Sequence, residues 1–307
     1  MSRILVTGGC GFIGRHTVAT LLAAGHEVIR LSRSQHSSHK SSNEDVFIGD
    51  LLWDGEPERI ARDIRADLLV HLAWETEHGH FWHAESNRQW EAQSVRLVEA
   101  FWDAGGARAV CAGTCAEYDW KSLGQDENLD EDHSALVPAT LYGQSKLSCF
   151  KSLRIRSAAG AGALAWGRVF LLFGSGEAPT RFIPAVIRAL LANKEAPMSS
   201  GQQVRDFMDS RDVGAAFAEL ALSRAEGAFN ISSGQGRSLL SIAEMIADKL
   251  GKRDLLRPGA YPDREAEPYR LVGSNQKLIK EVGFDVRFSL EQGLDDCLSY
   301  WRNEVDL

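Results

Sequence analysis

Short apolar runs recur through the first half of the chain, separated by stretches whose apolar residues return at helical spacing. The runs are Ile4-Leu5-Val6, Glu27-Val28-Ile29, Val46-Phe47-Ile48, Leu68-Leu69-Val70, Ala109-Val110-Cys111 and Leu164-Ala165-Trp166. Helical spacing marks Thr17 to Ala24, Ser94 to Trp102 and Ser145 to Arg156. This rhythm predicts βαβ units and an α/β fold, a doubly wound parallel sheet with helices on both faces. After Gly174 the pattern loosens into loops at 176–180 and 197–203, flanking a predicted helix from Ile183 to Leu191. Phe229-Asn230-Ile231 reads as one more strand. A helix from Leu240 to Leu250 follows, then a connection through Pro258, Pro262 and Pro268, then helical pattern to Trp301. The expected division is a sheet domain, 1–173 plus about 209–235, and a smaller, partly discontinuous lobe, 174–208 and 236–307.

At 307 residues and 44% hydrophobic content, the chain can bury a full α/β core with a second lobe beside it. A formal net charge of −8 opposes a phosphate backbone, so nucleic-acid partners are not expected. The cysteines Cys10, Cys111, Cys115, Cys149 and Cys297 form no C-x-x-C pair, which favours reduced, mostly buried thiols over a disulfide or metal framework. The chain enters its first strand at Arg3 with no leader pattern, and no apolar stretch approaches the roughly 18 residues of a membrane span. A cytoplasmic protein without a membrane partner is expected.

Thr7-Gly8-Gly9-Cys10-Gly11-Phe12-Ile13-Gly14 places glycines between the first strand and a helix, where backbone N–H groups can approach a pyrophosphate. The candidate dinucleotide contacts in this turn are Gly8, Gly11, Phe12, Ile13 and Gly14. The second strand ends in Leu31-Ser32-Arg33-Ser34, where an acidic residue would hydrogen-bond the ribose hydroxyls of NAD. Ser32 and Arg33 instead attract a 2′-phosphate, favouring NADP over NAD. Asp50 and Leu51 close the third strand, with Asp50 placed either for an adenine amino group or for capping the next segment. Leu72 and Ala73 close the fourth, where small Ala73 lets the chain pass near the cofactor. His71 reads as a hydrogen-bonded core histidine, and the Ser/His-rich stretch Ser32 to Ser42 as a surface loop.

Tyr142 and Lys146 stand four apart, on one helix face. An ammonium beside a phenol favours phenolate and is expected to lower the tyrosine pKa, letting Tyr142 act as general acid or base while Lys146 also holds the nicotinamide ribose. Thr114 closes the preceding strand, its hydroxyl available to the same substrate oxygen. Thr114, Tyr142 and Lys146 are the candidate catalytic residues.

In these motifs, and in Gly167-Arg168, Arg205-Asp206-Phe207, Asp212-Val213 and Asn230 to Gly234, the chain resembles the extended short-chain dehydrogenase/reductase family, in its epimerase/dehydratase branch. The resemblance implies a Rossmann domain, a C-terminal lobe for a nucleotide sugar, and often a homodimer through a four-helix bundle. It implies substrate contacts at Thr114, Cys115 and Ala116, and a phosphate clamp at Arg205, whose alternative is an ion pair with Asp206 or Asp212. Where the family's 4,6-dehydratases carry an Asp-Glu pair this chain has Cys115-Ala116, which disfavours dehydration. Leu171 and Trp90 replace family asparagines and imply an altered pocket. Glu117 is read as a solvated carboxylate rather than a second acid, and Cys115 as a buried neutral thiol.

The leading expectation is NADPH-dependent reduction of a nucleotide-linked 4-keto-6-deoxy sugar, with Tyr142 protonating the alkoxide, Thr114 hydrogen-bonding it and Lys146 tuning Tyr142. The alternatives are a nucleotide-sugar epimerase with transient oxidation by bound NAD, a reductase of a non-sugar carbonyl, and a non-catalytic dinucleotide sensor or scaffold. The last class usually lacks the Tyr or Lys retained here.

Overall fold

A computed structural model describes residues 1–34, 43–77, 79–121, 124, 127–263 and 267–305. The chain runs β1 (Arg3–Thr7), α1 (Gly14–Ala23), β2 (Glu27–Ser32), β3 (Glu44–Ile48), α2 (Glu56–Ile64), β4 (Leu68–His71), α3 (Ser86–Asp103), β5 (Arg108–Thr114), α4 (Leu141–Ala158) and β6 (Ala163–Val169). It continues through β7 (Leu171–Phe173), α5 (Phe182–Leu191), β8 (Ala196–Pro197), β9 (Val204–Asp209), α6 (Ser210–Leu222), β10 (Gly227–Ile231), β11 (Gly236–Ser238), α7 (Leu239–Leu250), β12 (Leu256–Arg257), β13 (Arg270–Leu271) and α8 (Leu290–Val305).

Seven strands form one parallel sheet in the order β10-β6-β5-β4-β1-β2-β3. Both faces are covered, so successive strand residues feed two different cores. Leu5, Ile29, Leu69 and Ala109 pack under Ile60, Leu97, Phe101 and Phe150 of α2, α3 and α4. Ile4, Val28, Val70 and Val110 pack against Val18, Leu21, Val213 and Phe217 of α1 and α6. Each fully buried Leu, Ile, Val or Phe side chain among these contributes roughly 1.5–3 kcal/mol. The doubly wound parallel sheet expected from the apolar rhythm is the fold observed.

Strand order reverses between β1 and β4, where Thr7 lies beside His71. That crevice, at the carboxyl ends of the strands, is where this architecture binds ligands. A second sheet, β11-β9-β13 with β7 against β9, stands beyond it. There Ile183, Ile187, Ile242, Ile246, Leu294 and Leu298 knit α5, α7 and α8 together. β7, just before the expected boundary after residue 173, pairs with β9 of this second sheet. Residues 35–42 of the Ser/His-rich stretch lie outside the described residues. Among the described residues, no helix is long and apolar enough to cross a membrane.

Candidate active site

β1 hands over to α1 through a turn that only glycine permits. Gly8 has φ of 68°, and its carbonyl accepts from Gly11 N at 2.9 Å. A Cβ on Gly14 would lie 2.1 Å from the Gly8 oxygen and 2.7 Å from Gly9 Cα, so α1 starts pressed against the turn. A Cβ on Gly8 would stand 2.8 Å from Ala73 N, which brings the β4 end alongside. The N-cap Ile13 makes no side-chain cap, so the positive end of α1 faces the turn without a side chain over it. This cradle fits a dinucleotide pyrophosphate. Gly14→Ala is expected to weaken dinucleotide binding at least ~10-fold and cost about 1–3 kcal/mol of stability, because the added methyl must prise the turn open. Titration and urea unfolding of the purified variant check both.

At the ribose end, Ser32 Oγ donates to Ser34 O at 2.7 Å and Arg33 is exposed. Asp50 accepts from Leu52 N at 3.0 Å, which is the capping arrangement, while Leu51 is buried in the core. Leu72 N donates to Thr7 O, and Ala73 N to the Thr7 hydroxyl at 3.2 Å.

His71 is the core histidine expected. Its Nδ1 is hydrogen-bonded to Thr7 Oγ1 at 2.7 Å and its Nε2 to Ser94 Oγ at 2.8 Å. Burial first, then the Lys146 charge, pushes its pKa down to about 3. The unfolded chain takes up this proton below its ordinary value of 6.5, the folded chain only near 3, so stability falls as pH falls through that window. The expected slope is about 1.4 kcal/mol per pH unit, and subtracting the same urea series for His71→Gln isolates it.

Thr114, Tyr142 and Lys146 converge at the carboxyl end of β5. Thr140 caps α4 by accepting from Gly143 N at 3.1 Å, which sets Tyr142 in the first turn. The Thr114 side chain lies close enough to the Tyr142 phenol to oppose the upward push of burial on its pKa. Lys146 Nζ donates to Ala112 O at 2.7 Å and stands 3.7 Å from the centre of the Trp74 ring. Burial pushes Lys146 down to about 8. The expectation of a lowered Tyr142 pKa is corrected: burial pushes the phenol up, against the opposing effect of Thr114. The physical reason is location, since Lys146 Nζ lies 6.0 Å from the Tyr142 ring centre while aromatic rings enclose the phenol.

Glu117 also departs from expectation. It is fully buried, not solvated: Oε1 accepts from Thr114 N and Trp166 Nε1, each at 2.9 Å, and Oε2 from Arg168 Nε at 2.8 Å. Arg168 continues to the Tyr118 hydroxyl at 3.2 Å, which donates to Asn230 Oδ1 at 2.7 Å. This chain of bonds anchors the Thr114 peptide from below. Ala116 N donates to Thr114 Oγ1 at 3.2 Å. Cys115 is buried and pushed up to about 12 by desolvation, a neutral thiol as read. Of the five cysteines, Cys10 alone is exposed.

Arg205, for which the resemblance implied a phosphate clamp or an ion pair, is held by Glu267, Pro268 and Tyr269. Its Nη1 donates to Pro268 O at 2.9 Å and its Nη2 pairs with Glu267 at 3.2 Å, so both terminal nitrogens are engaged within the protein. Neither Asp206 nor Asp212 is its partner, because each accepts backbone N–H groups elsewhere.

Sequence reasoning missed the surroundings of Tyr142. Phe81, Trp82 and Trp74 meet its ring edge-on at 4.9, 5.9 and 6.4 Å, and Trp82 O accepts from Tyr142 N at 3.1 Å. Trp90, in place of the family asparagine, stacks on Trp74 at 6.1 Å. Asn87, one turn earlier, accepts from Trp74 Nε1 at 2.8 Å and donates to Phe81 O at 2.7 Å, pinning the segment. A signal was present, since Trp74, Trp82, Trp90 and Trp120 are four of the chain's eight tryptophans. Arg181, at the start of α5, reaches over Phe81 at 5.9 Å from the other lobe and had no such signal.

Residues 4–232 match the model of the NAD dependent epimerase/dehydratase family. The chain is 26% identical over 249 residues to the dTDP-6-deoxy-L-talose 4-dehydrogenase (NAD(+)) of Aggregatibacter actinomycetemcomitans, covering 80% of this chain and 90% of that protein. It is 28% identical over 265 residues to the dTDP-6-deoxy-L-talose 4-dehydrogenase (NAD(P)(+)) of Kitasatospora kifunensis, covering 81% of this chain and 80% of that one. Among solved structures, MoeE5 in complex with UDP-glucuronic acid and NAD superposes with a TM-score of 0.82 at 26% identity, covering 98% of this chain and 99% of that one. The chain belongs to the NAD-dependent epimerase/dehydratase family, whose members modify nucleotide sugars.

Proposed function

We propose that this chain is an NADPH-dependent reductase of a nucleotide-linked 4-keto-6-deoxy sugar. The observation that carries the reading is the end of β2, where Ser32 and exposed Arg33 suit the 2′-phosphate of an exchangeable NADPH. Tyr142, whose phenol burial keeps from ionising, is the group available to give a proton to the substrate oxygen. A bound NADPH supplies the hydride. Tyr142 gives its proton to the sugar oxygen, and Thr114, fixed from behind by Glu117, donates a hydrogen bond to the same oxygen. Lys146, beside Ala112 and over Trp74, adds positive charge near that oxygen.

Cofactor choice rests on the end of β2, where Ser32 and exposed Arg33 stand in place of a carboxylate. The relatives named as 4-dehydrogenases of a 6-deoxy sugar support net redox at one carbon. The segments 174–208 and 236–307, with β7, are the proposed seat of the nucleotide sugar. NADPH is expected to bind roughly 10-fold more tightly than NADH, and Ser32→Asp to reverse the order. The reading is tested by supplying NADPH with dTDP- and UDP-linked 4-keto-6-deoxyhexoses. One NADPH consumed per sugar supports it, whereas isomerised sugar at constant NADPH overturns it in favour of an epimerase.

A further inference from the structure

We infer that Trp82 and Trp120 form an apolar wall selecting a sugar that carries a methyl, in place of a hydroxymethyl, on the carbon next to the reacting one; the inference rests on the nucleotide-sugar reading above. Phe81 and Trp74 are buried against Tyr142, but Trp82 and Trp120 are only half-buried and keep accessible ring surface beside it. Their ring centres are 6.0 Å apart at 76°, which makes a corner, and Trp82 meets Tyr142 edge-on at 5.9 Å.

Several polar groups nearby are turned away from the two ring faces, while Arg181 stands over Phe81 at 5.9 Å. Trp120 Nε1 donates to Cys115 O at 3.0 Å, so its polar edge points into the protein. The Glu117 carboxylate is directed into the core toward Arg168. Leu171 packs into the neighbouring apolar cluster together with Cys115 and Trp120, where a family asparagine would have offered an amide. The Thr114 hydroxyl and the Tyr142 phenol are both needed by the reacting oxygen, and the Trp82 indole N–H lies at the ring edge rather than on its face. A sugar hydroxyl set against the Trp82 and Trp120 ring faces loses water without gaining a partner there, whereas a methyl group buries apolar surface. An apolar pocket rejects an added hydroxyl by no more than about 10²-fold, so the expected preference is roughly 10–100-fold.

The test measures kcat/KM in the alcohol-oxidising direction, with NADP+ and with NAD+, for two matched pairs: dTDP-6-deoxyglucose against dTDP-glucose, and dTDP-fucose against dTDP-galactose. The wild-type protein is expected to favour the 6-deoxy member of the pair it accepts by ~10–100-fold. Trp82→Ala and Trp120→Ala are expected to bring that ratio below about 3-fold, while Trp120→Phe, which keeps an aromatic face, retains most of it. A wild-type ratio near one overturns the wall, as does an equal loss on both members in the alanine variants. Circular dichroism of each variant separates misfolding from lost selectivity, and the wild-type ratio stands without any variant. No redox turnover of any nucleotide sugar, with either cofactor, instead overturns the reading on which the wall rests.

Discussion

Tyr142→Phe is expected to lower kcat by about 10²–10⁴-fold, the range for loss of a general acid or base, with NADPH affinity kept within about 3-fold. The two effects separate because of where the hydroxyl sits. The Tyr142 ring is held by Phe81, Trp82 and Trp74, and a phenylalanine fills the same space. The oxygen alone faces Thr114. Steady-state kinetics with a reducible nucleotide sugar, beside a fluorescence titration of NADPH, reads both quantities on one preparation. A variant that turns over at the wild-type rate removes Tyr142 from the chemistry. Loss of cofactor binding in parallel would make the ring a binding element only.

The largest expected loss of stability belongs to Glu117→Leu. Glu117 and Arg168 are both fully buried and face each other at 2.8 Å, so removing the carboxylate leaves a guanidinium without its counter-charge. Breaking such a pair from one side costs about 3–5 kcal/mol. Turnover falls as well, since the Thr114 and Trp166 N–H groups lose their common acceptor. Adding Arg168→Met is expected to restore much of the stability without the activity, because the lone buried charge is gone while Thr114 is still unanchored. Urea unfolding of the single and double variants gives the coupling. An unchanged midpoint for Glu117→Leu would show that the pair holds nothing together.

What could be read from the sequence follows from the range of the forces involved. β1, β2, β4, β5 and β6 were legible because strands buried on both faces are continuous apolar runs, and the glycine turn because Gly8 and Gly14 answer to local geometry. α6 left little trace: its alanines are buried nearly all round, so no polar stripe marks its period. α2 is short and charged, with only Pro57, Ile60, Ala61 and Ile64 facing inward. β7, β11 and β13, of two or three residues, offer no run to detect.

That Thr114, Tyr142 and Lys146 come together at the end of β5 was legible from motif order, but the electrostatics there were not. The direction of the Tyr142 shift depends on rings brought in from the β4–α3 connection. Glu117 looked solvated because its partner Arg168 lies 51 residues onward, and the ion-pair partner considered for Arg205 was Asp206 or Asp212 because Glu267 lies 62 residues onward. Desolvation by distant segments is a tertiary quantity, and no local pattern encodes it.

The proposal that Tyr142 and NADPH together carry out net reduction is tested most directly by following the label from NADPH deuterated on its transferable position into a nucleotide-linked 4-keto-6-deoxy sugar. The predicted result is one deuterium on the former carbonyl carbon for each NADPH oxidised in the wild type, and none above background in Tyr142→Phe. Sugar isomerised without deuterium, at constant NADPH, would contradict it.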